Sequence, residues 1–311
     1  MSIATYLTAL DRDRDALAAN LTTKGVPASS SETFTTLVPK VLDIPSGGGG
    51  GGIEWDTSVT LNNSTYLERG LKEITIKDIT ITNETNTQGY THAFDMMINL
   101  EKITCENVVF PNLNQNFFNY SRLTKIKEIT IKNCSFVSGA ASSQMFNGLT
   151  TLTKLTFNGF NLTNVYTPAN MCWNVTAQIT GTNTITAGSD LLRTDGMFRG
   201  CSGLEKDVDL SGLVCPNVTT ITNMFVDCSA VETIDLSNIT GTITNISNAF
   251  SGCTSLKTID ISGMSFSNIA SSSRNNTFNN VPTNCTIYVK DADAQTKLSG
   301  WFPSYTFTIK T

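Results

Sequence analysis

Three consecutive copies of one motif decide the fold: MFRGCSGLEKDVDLSGL at residues 197–213, MFVDCSAVETIDLSNI at 224–239 and AFSGCTSLKTIDISGM at 249–264. Counted from Phe198, Phe225 and Phe250, the copies are 27 and 25 residues apart. A period of this length is typical of repeat proteins. Because each unit is too small to bury its own apolar face, neighbouring units are expected to stack into a solenoid.

The same spacing extends the array in both directions. The other units are anchored at Phe94, Phe117, Phe146, Cys172 and Phe278. The segment KEITIK occurs at 72–77 and again at 127–132, so the array is expected to begin with a strand near Leu71. Between Asn158 and Gly196 the pattern weakens into a Thr/Gly-rich stretch, which predicts a distorted repeat.

Within each unit, the ninth and eleventh residues after the anchor are apolar and alternate with polar neighbours. This period of two predicts a short strand with one buried face. The polar positions then form rows of outward side chains along the stack, and we expect this surface to bind the ligand. The candidate binding residues are Lys154, Thr156, Asp207, Asp209, Thr233, Asp235, Thr258, Asp260 and Tyr288.

The aspartates of this surface admit three interpretations. Asp209, Asp235 and Asp260 fall on adjacent strands, which lie about 4.8 Å apart in a sheet. Paired carboxylates suit glycoside hydrolysis or calcium binding. The favoured interpretation is that the repeat tolerates aspartate at an exposed strand position, since hydrolysis needs two carboxyl groups in different environments. We therefore predict no catalytic residue and no enzymatic activity.

Other chemistry is sparse. The chain has eight cysteines, no CxxC pair and one histidine, His92, which argues against a zinc site. Cys201, Cys228 and Cys253 share the third position after the anchor, so we predict an internal ladder of free, buried thiols. No metal and no cofactor are expected. Tyr166, Trp173 and Tyr288 are candidates for stacking on sugar rings, although Trp173 is interpreted as core filler in the distorted repeat.

The pattern MFxGCxxLxxIDLSG resembles the BspA-type leucine-rich repeats of bacterial and phage surface proteins, specifically at 197–264 and more weakly at 94–160. The resemblance implies a curved stack with a parallel sheet on one face and no catalytic residues. The tail IYVKDADAQTKLSGWFPSYTFTIK, residues 287–310, resembles the closing cap of such arrays. It implies a strand, a short helix and a final strand, with Trp301 packed beneath.

Residues 1–45 are predicted to be helical. Their apolar residues follow a 4-3-4-3-4 spacing with one charged core position, which is the pattern of a three-heptad stripe. Two interpretations remain open: a helical hairpin whose stripes pack on each other, or an oligomeric stalk, preferably a trimer, whose stripe also faces other copies. The predicted oligomerisation and docking residues are Ile3, Leu7, Leu10, Arg14, Leu17 and Leu21.

Four segments are therefore predicted: a helical docking and oligomerisation domain at 1–45, a glycine linker at 46–52, a leucine-rich repeat solenoid at 53–290 and a C-terminal cap at 291–311. The leader LTTKGVPASSSETFTTLVPKVLDI, residues 21–44, resembles the short helical leaders of tail or fibre proteins in phages of Gram-positive bacteria. The run of six glycines at 47–52 fits a flexible connection after such a leader.

Composition excludes several classes of function. The net charge is −5, so the chain lacks the basic surface that nucleic-acid binding needs. No apolar run approaches the roughly 18 residues of a membrane span, and the N-terminus lacks the pattern of a secretory signal. We expect a product made in the host cytoplasm that becomes part of a virion, with neither nucleic acid nor membrane as a partner.

These features predict a non-enzymatic bacteriophage structural protein, namely a fibre or receptor-binding protein. Residues 1–45 would dock on other virion proteins, and the repeats would bind host cell-surface carbohydrate or protein. Three alternatives remain: a bacterial surface adhesin with the same repeats, a head or neck decoration fibre, and, less favoured, a polysaccharide depolymerase built on a solenoid.

Overall fold

The structure of the protein is a computed structural model that describes residues 14–22, 26–33, 37, 53–55, 72–78, 80–81, 99–112, 117–118, 123–266 and 269–311. The chain divides into two compact units, Met1–Gly51 and Gly52–Thr311. The predictions made for Ile3, Leu7 and Leu10, for Phe94, and for the glycines at 47–52 lie outside the described residues.

The first unit contains helix α1, residues 14–22. Leu17 and Leu21 on this helix are buried and pack in one cluster with Val26 and Leu37. Arg14 lies on this helix, and its guanidinium is 3.0 Å from the carboxylate of Asp15. The two leucines of the predicted stripe are thus covered within their own unit, as in the hairpin interpretation, and association with further copies stays a prediction.

The second unit is a parallel β-solenoid of about seven turns. Its first ten strands are β1 (Ile53–Trp55), β2 (Glu73–Lys77), β3 (Lys102–Glu106), β4 (Val109–Phe110), β5 (Glu128–Phe136), β6 (Ala140–Ala141), β7 (Lys154–Asn161), β8 (Val165–Thr167), β9 (Gln178–Thr180) and β10 (Ile185–Thr186). The others are β11 (Asp207–Asp209), β12 (Thr233–Asp235), β13 (Thr242–Ile243), β14 (Thr258–Asp260), β15 (Ser265–Phe266), β16 (Thr286–Val289) and β17 (Phe307–Ile309).

The strands form two main parallel sheets. The first has the order β1-β2-β3-β5-β7-β10, with β4 beside β5 and β9 beside β7; the second has the order β11-β12-β14-β16-β17. Two further pairs, β6 with β8 and β13 with β15, lie elsewhere on the turns. In the second sheet Val208, Ile234 and Ile259 are paired in register and buried, while their neighbours at the first strand position are not. The predicted alternation is confirmed.

The anchor phenylalanines stack along the interior. Neighbouring rings of Phe198, Phe225, Phe250 and Phe278 have centroids 5.7, 6.0 and 5.6 Å apart and are nearly parallel. Cys172 takes the anchor position of its turn and is fully buried. One continuous hydrophobic core therefore runs through these turns.

One anchor was assigned to the wrong residue. In the other turns, the backbone N–H of the anchor residue donates to the carbonyl of the residue just before the next anchor. In the turn before Phe146, the residue that donates to Met145 O in this way is Phe118, not Phe117. Phe118 also stacks on Phe146 at 5.2 Å, whereas Phe117 meets Phe118 edge-on. Both rings are buried, so the sequence pattern alone does not separate them.

All eight cysteines are free, as predicted, and burial extends from the three predicted positions, Cys201, Cys228 and Cys253, to all eight. The Sγ atoms of Cys201, Cys228 and Cys253 donate to backbone carbonyls of the preceding turn, at 2.9, 3.0 and 3.1 Å. A repeated thiol therefore fills a narrow core position and satisfies one main-chain acceptor in each turn.

The stretch between the two sheets is irregular, as the sequence predicts. A 3₁₀ helix at Thr182–Thr184 follows β9 and precedes the two-residue strand β10. The carboxylate of Glu205, one turn later, accepts hydrogen bonds from the backbone N–H of Gly181 and Thr182 and from the Thr182 hydroxyl. One glutamate thus fixes the irregular backbone where the first sheet ends.

The C-terminal end of the solenoid is covered by helix α2 (Ala292–Trp301) and strand β17, the elements that the sequence predicts. Asp291 caps the helix by accepting from Ala294 N–H at 2.9 Å. Phe302 and Tyr305 pack against the ring of Phe278, each with centroids 5.0 Å away. The last ring of the phenylalanine stack is therefore shielded from water.

Candidate functional site

The outward side of the second sheet carries the polar row that the sequence singles out. Asp209, Asp235 and Asp260, here called the aspartate row, are paired in register across β11, β12 and β14. Tyr288 on β16 and Thr308 on β17 continue the same row. Five side chains, one from each of the five neighbouring strands of the second sheet, therefore lie side by side.

The aspartate row has a local structural task. In each case Oδ1 accepts the backbone N–H of the serine two residues later, at 2.9 Å from Ser211, 2.8 Å from Ser237 and 3.0 Å from Ser262. This Asx turn ends the strand and turns the chain. The recurrence of Asp-x-Ser in the repeats is thereby explained, so aspartate at this position is used by the fold rather than merely tolerated.

Asp260 differs from the other two. It was predicted to be exposed, but only 7% of its surface is accessible, because Lys310 pairs with its Oδ2. Burial alone would raise the pKa of this carboxyl, but hydrogen bonds from the Lys310 ammonium and from Ser262 outweigh it and lower the pKa. The hydrogen bond with Asp260 in turn raises the pKa of Lys310.

An open depression of about 470 Å³ lies at this end of the sheet, here called the C-terminal depression. Five of the nine predicted binding residues border it. The full lining is Thr233, Ile234, Asp235, Thr258, Asp260, Tyr288, Thr308, Ile309, Lys310 and Thr311. Its polar side chains come from four neighbouring strands and from the residues that follow the last one.

Comparison with known proteins agrees with this architecture. The family model of the BspA-type leucine-rich repeat region matches six copies, at residues 67–172 and 193–293. Together these residues are more than half of the chain. The chain belongs to the BspA-type leucine-rich repeat family. No curated protein matches it significantly.

The BspA-type repeats do not bring all the predicted binding residues together. Lys154 and Thr156 lie on β7, in the other main sheet. Asp207 and Asp209 lie on β11 and do not border the depression. The Asp207 carboxylate accepts a hydrogen bond from the Thr233 hydroxyl at 2.9 Å, so it serves the edge of the sheet.

Three polar residues of the depression, Thr308, Lys310 and Thr311, were missed. Thr308 lies on β17, which follows the BspA-type repeats and has no motif of its own, and Lys310 comes directly after this strand. The alternation in TFTIK, residues 306–310, places Thr308 and Lys310 on the side opposite Phe307, which is buried. That signal shows which side they face, but the pairing of β17 beside β16 emerges only from the fold.

The other aromatic candidates lie apart from the depression. Tyr166 is 44% exposed on β8. The prediction that Trp173 fills the core is wrong, because Cys172 occupies that place and Trp173 is half-buried with the Arg199 guanidinium 5.3 Å from its ring centroid. These residues line no part of the C-terminal depression.

Neither a metal centre nor a membrane span is seen in the part of the chain that the structure describes. No group of three or more His, Cys, Asp or Glu side chains there is arranged to hold a metal ion. Likewise, no helix among the described residues has the length and apolar character needed to cross a bilayer.

Proposed function

We propose that the protein is a non-enzymatic adhesion protein that binds a macromolecule on a cell surface through the outward side of its second sheet. BspA-type repeats suggest a surface adhesin or protein-binding role. The observation that carries the proposal is the row of in-register polar side chains, Asp209 to Thr308, which runs into the C-terminal depression. A solenoid repeats such a row at each turn and so offers an extended surface to a partner.

The geometry supports binding better than hydrolysis. Asp209 and Asp235 are held in the same way, each by a serine N–H, so they lack the contrast between an acid and a base that glycoside cleavage uses. Asp260, which does differ, is neutralised by Lys310. We expect no new reducing ends when the protein is incubated with bacterial wall polysaccharide; their release would favour a depolymerase.

The direct test uses labelled full-length protein and a panel of Gram-positive cells. We expect saturable binding to at least one strain, followed by flow cytometry, and competition by unlabelled protein. Failure to bind any strain of the panel would count against adhesion to cells of this class.

In a finer form of the proposal, the protein is part of a phage particle, with residues 1–45 docked on other virion proteins. The resemblance of residues 21–44 to phage tail or fibre leaders supports it, as does the glycine run that follows. Mass spectrometry of purified particles tests it, and absence of the chain from them would contradict it. A bacterial surface adhesin would then be the better description.

We further propose that the chain is a trimer: the heptad spacing at the N-terminus suggests association, and the resemblance to fibre proteins favours three copies. Light scattering coupled to size-exclusion chromatography of the full chain should give three times the chain mass of 33.6 kDa. Because Leu17 and Leu21 are covered within one chain, a trimer would use the remaining positions of the stripe. A monomer mass would overturn the proposal.

A further inference from the structure

We propose that the C-terminal depression is a saccharide subsite for a neutral sugar residue of the cell-surface ligand. This inference rests on the proposed adhesive function and makes it more specific. It concerns one end of the sheet, not the whole polar row.

The size and lining of the depression suit a small polar ring. Its volume of about 470 Å³ falls within the range of small-ligand pockets, roughly 300–1,000 Å³. Tyr288 contributes an aromatic ring that is half-buried between Asp260 and Thr308 in the row. Such a ring can pack against the apolar face of a sugar while the tyrosine hydroxyl remains in contact with water.

Donors and acceptors converge around that ring. Asp235 uses Oδ1 for the Ser237 N–H, and among the described residues its Oδ2 has no hydrogen-bond partner. Lys310 directs its ammonium at Asp260, and an ammonium carries three donors. A sugar hydroxyl, which both donates and accepts, matches this mixture. The hydroxyls of Thr233, Thr258 and Thr308 extend it across the lining.

The charged side chains of the lining favour a neutral sugar over charged ligands. The charged side chains of the lining are the carboxylates of Asp235 and Asp260 and the ammonium of Lys310, so they carry one net negative charge and disfavour an anionic glycan. A cationic ligand is disfavoured as well, because it would have to lie beside the Lys310 ammonium, which is held in the lining by Asp260 and repels a second positive charge.

The experiment measures binding of individual small probes to the full-length chain by saturation-transfer NMR and titration calorimetry. The neutral probes are D-glucose, D-galactose, D-mannose and N-acetyl-D-glucosamine. D-glucuronate is the anionic probe and Nα-acetyl-L-lysine methylamide the cationic one. We expect saturable, weak binding of at least one neutral sugar and none of the charged probes. Absence of neutral-sugar binding, or binding of a charged probe alone, overturns the inference.

A matched pair of variants locates the site. Asp235→Asn keeps an oxygen for the Asx turn but removes the charged acceptor, so affinity for the sugar should fall at least about tenfold. Asp291→Asn makes the same change at the cap of α2, outside both the depression and the polar row, where asparagine caps as well as aspartate, and it should bind like the wild type. Tyr288→Leu should also lose binding, with thermal melting to check that each variant is folded. Equal affinity of the two asparagine variants overturns the inference.

The inference and the proposed function fail in different ways. If the wild type binds sugar but no cells, adhesion fails and the subsite stands. If the wild type binds cells and the Asp235→Asn variant binds them equally well while no neutral sugar binds, the subsite fails and adhesion stands.

Discussion

At the residue scale, the turns depend on a column of left-handed backbone positions in which glycine alternates with asparagine or aspartate. The column consists of Gly148, Asn174, Gly200, Asp227, Gly252 and Asn280, all with positive φ. A Cβ built on Gly200 would lie 2.2 Å from the Oδ1 of Asn174, and one on Gly252 equally close to the Oδ1 of Asp227. The amide or carboxylate of one turn thus fills the space that a side chain would need in the next.

This alternation predicts that a second substitution in the column recovers part of the stability lost by the first. Gly200→Ala should lower the free energy of unfolding by at least about 1–3 kcal/mol, the cost of a non-glycine residue in this conformation, because it also clashes with Asn174. Adding Asn174→Gly removes the clash and should recover part of the loss. Urea denaturation of the wild type, the two single variants and the double variant measures the coupling. Equal stability of the Gly200→Ala variant and the double variant would show that the contact is unimportant.

The buried thiols give a second prediction at this scale. Burial raises the pKa of Cys215 and of Cys253 to about 12 and that of Cys134 to about 11. Since the thiolate is the reactive form, an aromatic disulfide reagent should label none of the eight cysteines in the native protein at neutral pH. All eight should react in denaturant. Rapid labelling of any cysteine before unfolding would contradict its position in the core.

At the scale of elements, neighbouring turns are joined by ion pairs as well as by strand pairing. Glu232, just before β12, bonds to Lys206 at 2.8 Å and to Lys257, so it bridges three successive turns. Glu101 makes the same kind of bridge between Lys72 and Lys127 in the first sheet. The hydrogen bonds from Lys206 and then Lys257 lower the pKa of Glu232 to about 2, from an ordinary value of 4.5.

The lowered pKa predicts a pH dependence of stability. Because the folded pKa is below the unfolded one, the contribution of Glu232 is present above about pH 4.5 and is lost as the pH falls toward 2. Glu232→Gln should therefore melt at a lower temperature than the wild type at pH 7, with the difference vanishing near pH 2. Glu128→Gln, at the exposed start of β5, is the control. A constant difference across the range would contradict this role.

The pairing of elements also determines which parts of the fold and of the candidate site can be predicted from the sequence. The spacing of Phe198, Phe225 and Phe250 and the alternation around Ile234 were sufficient to place the strands of the second sheet. The pattern failed at Phe117 and Phe118, where adjacent phenylalanines leave the anchor ambiguous. It also failed at Asp260, because the lysine that covers this residue is 50 positions away and arrives only through the pairing of β17.

At the scale of the whole molecule, the solenoid formed by the second compact unit has one continuous core and a cap at its C-terminal end. The cap shields Phe278 through Phe302 and Tyr305, and the Tyr305 hydroxyl donates to Phe278 O at 2.7 Å. The same strand that ends the solenoid brings Lys310 to Asp260 and so completes the C-terminal depression. The C-terminal cap and the C-terminal depression therefore share strand β17.

The central claim is that the outward side of the second sheet is the adhesive surface. It is tested most directly by comparing cell binding of Thr258→Arg, inside the C-terminal depression, with Thr244→Arg, an exposed threonine away from it. We expect Thr258→Arg to weaken binding at least about tenfold, since arginine blocks the surface, and Thr244→Arg to bind like the wild type. Equal binding by the two folded variants would contradict it.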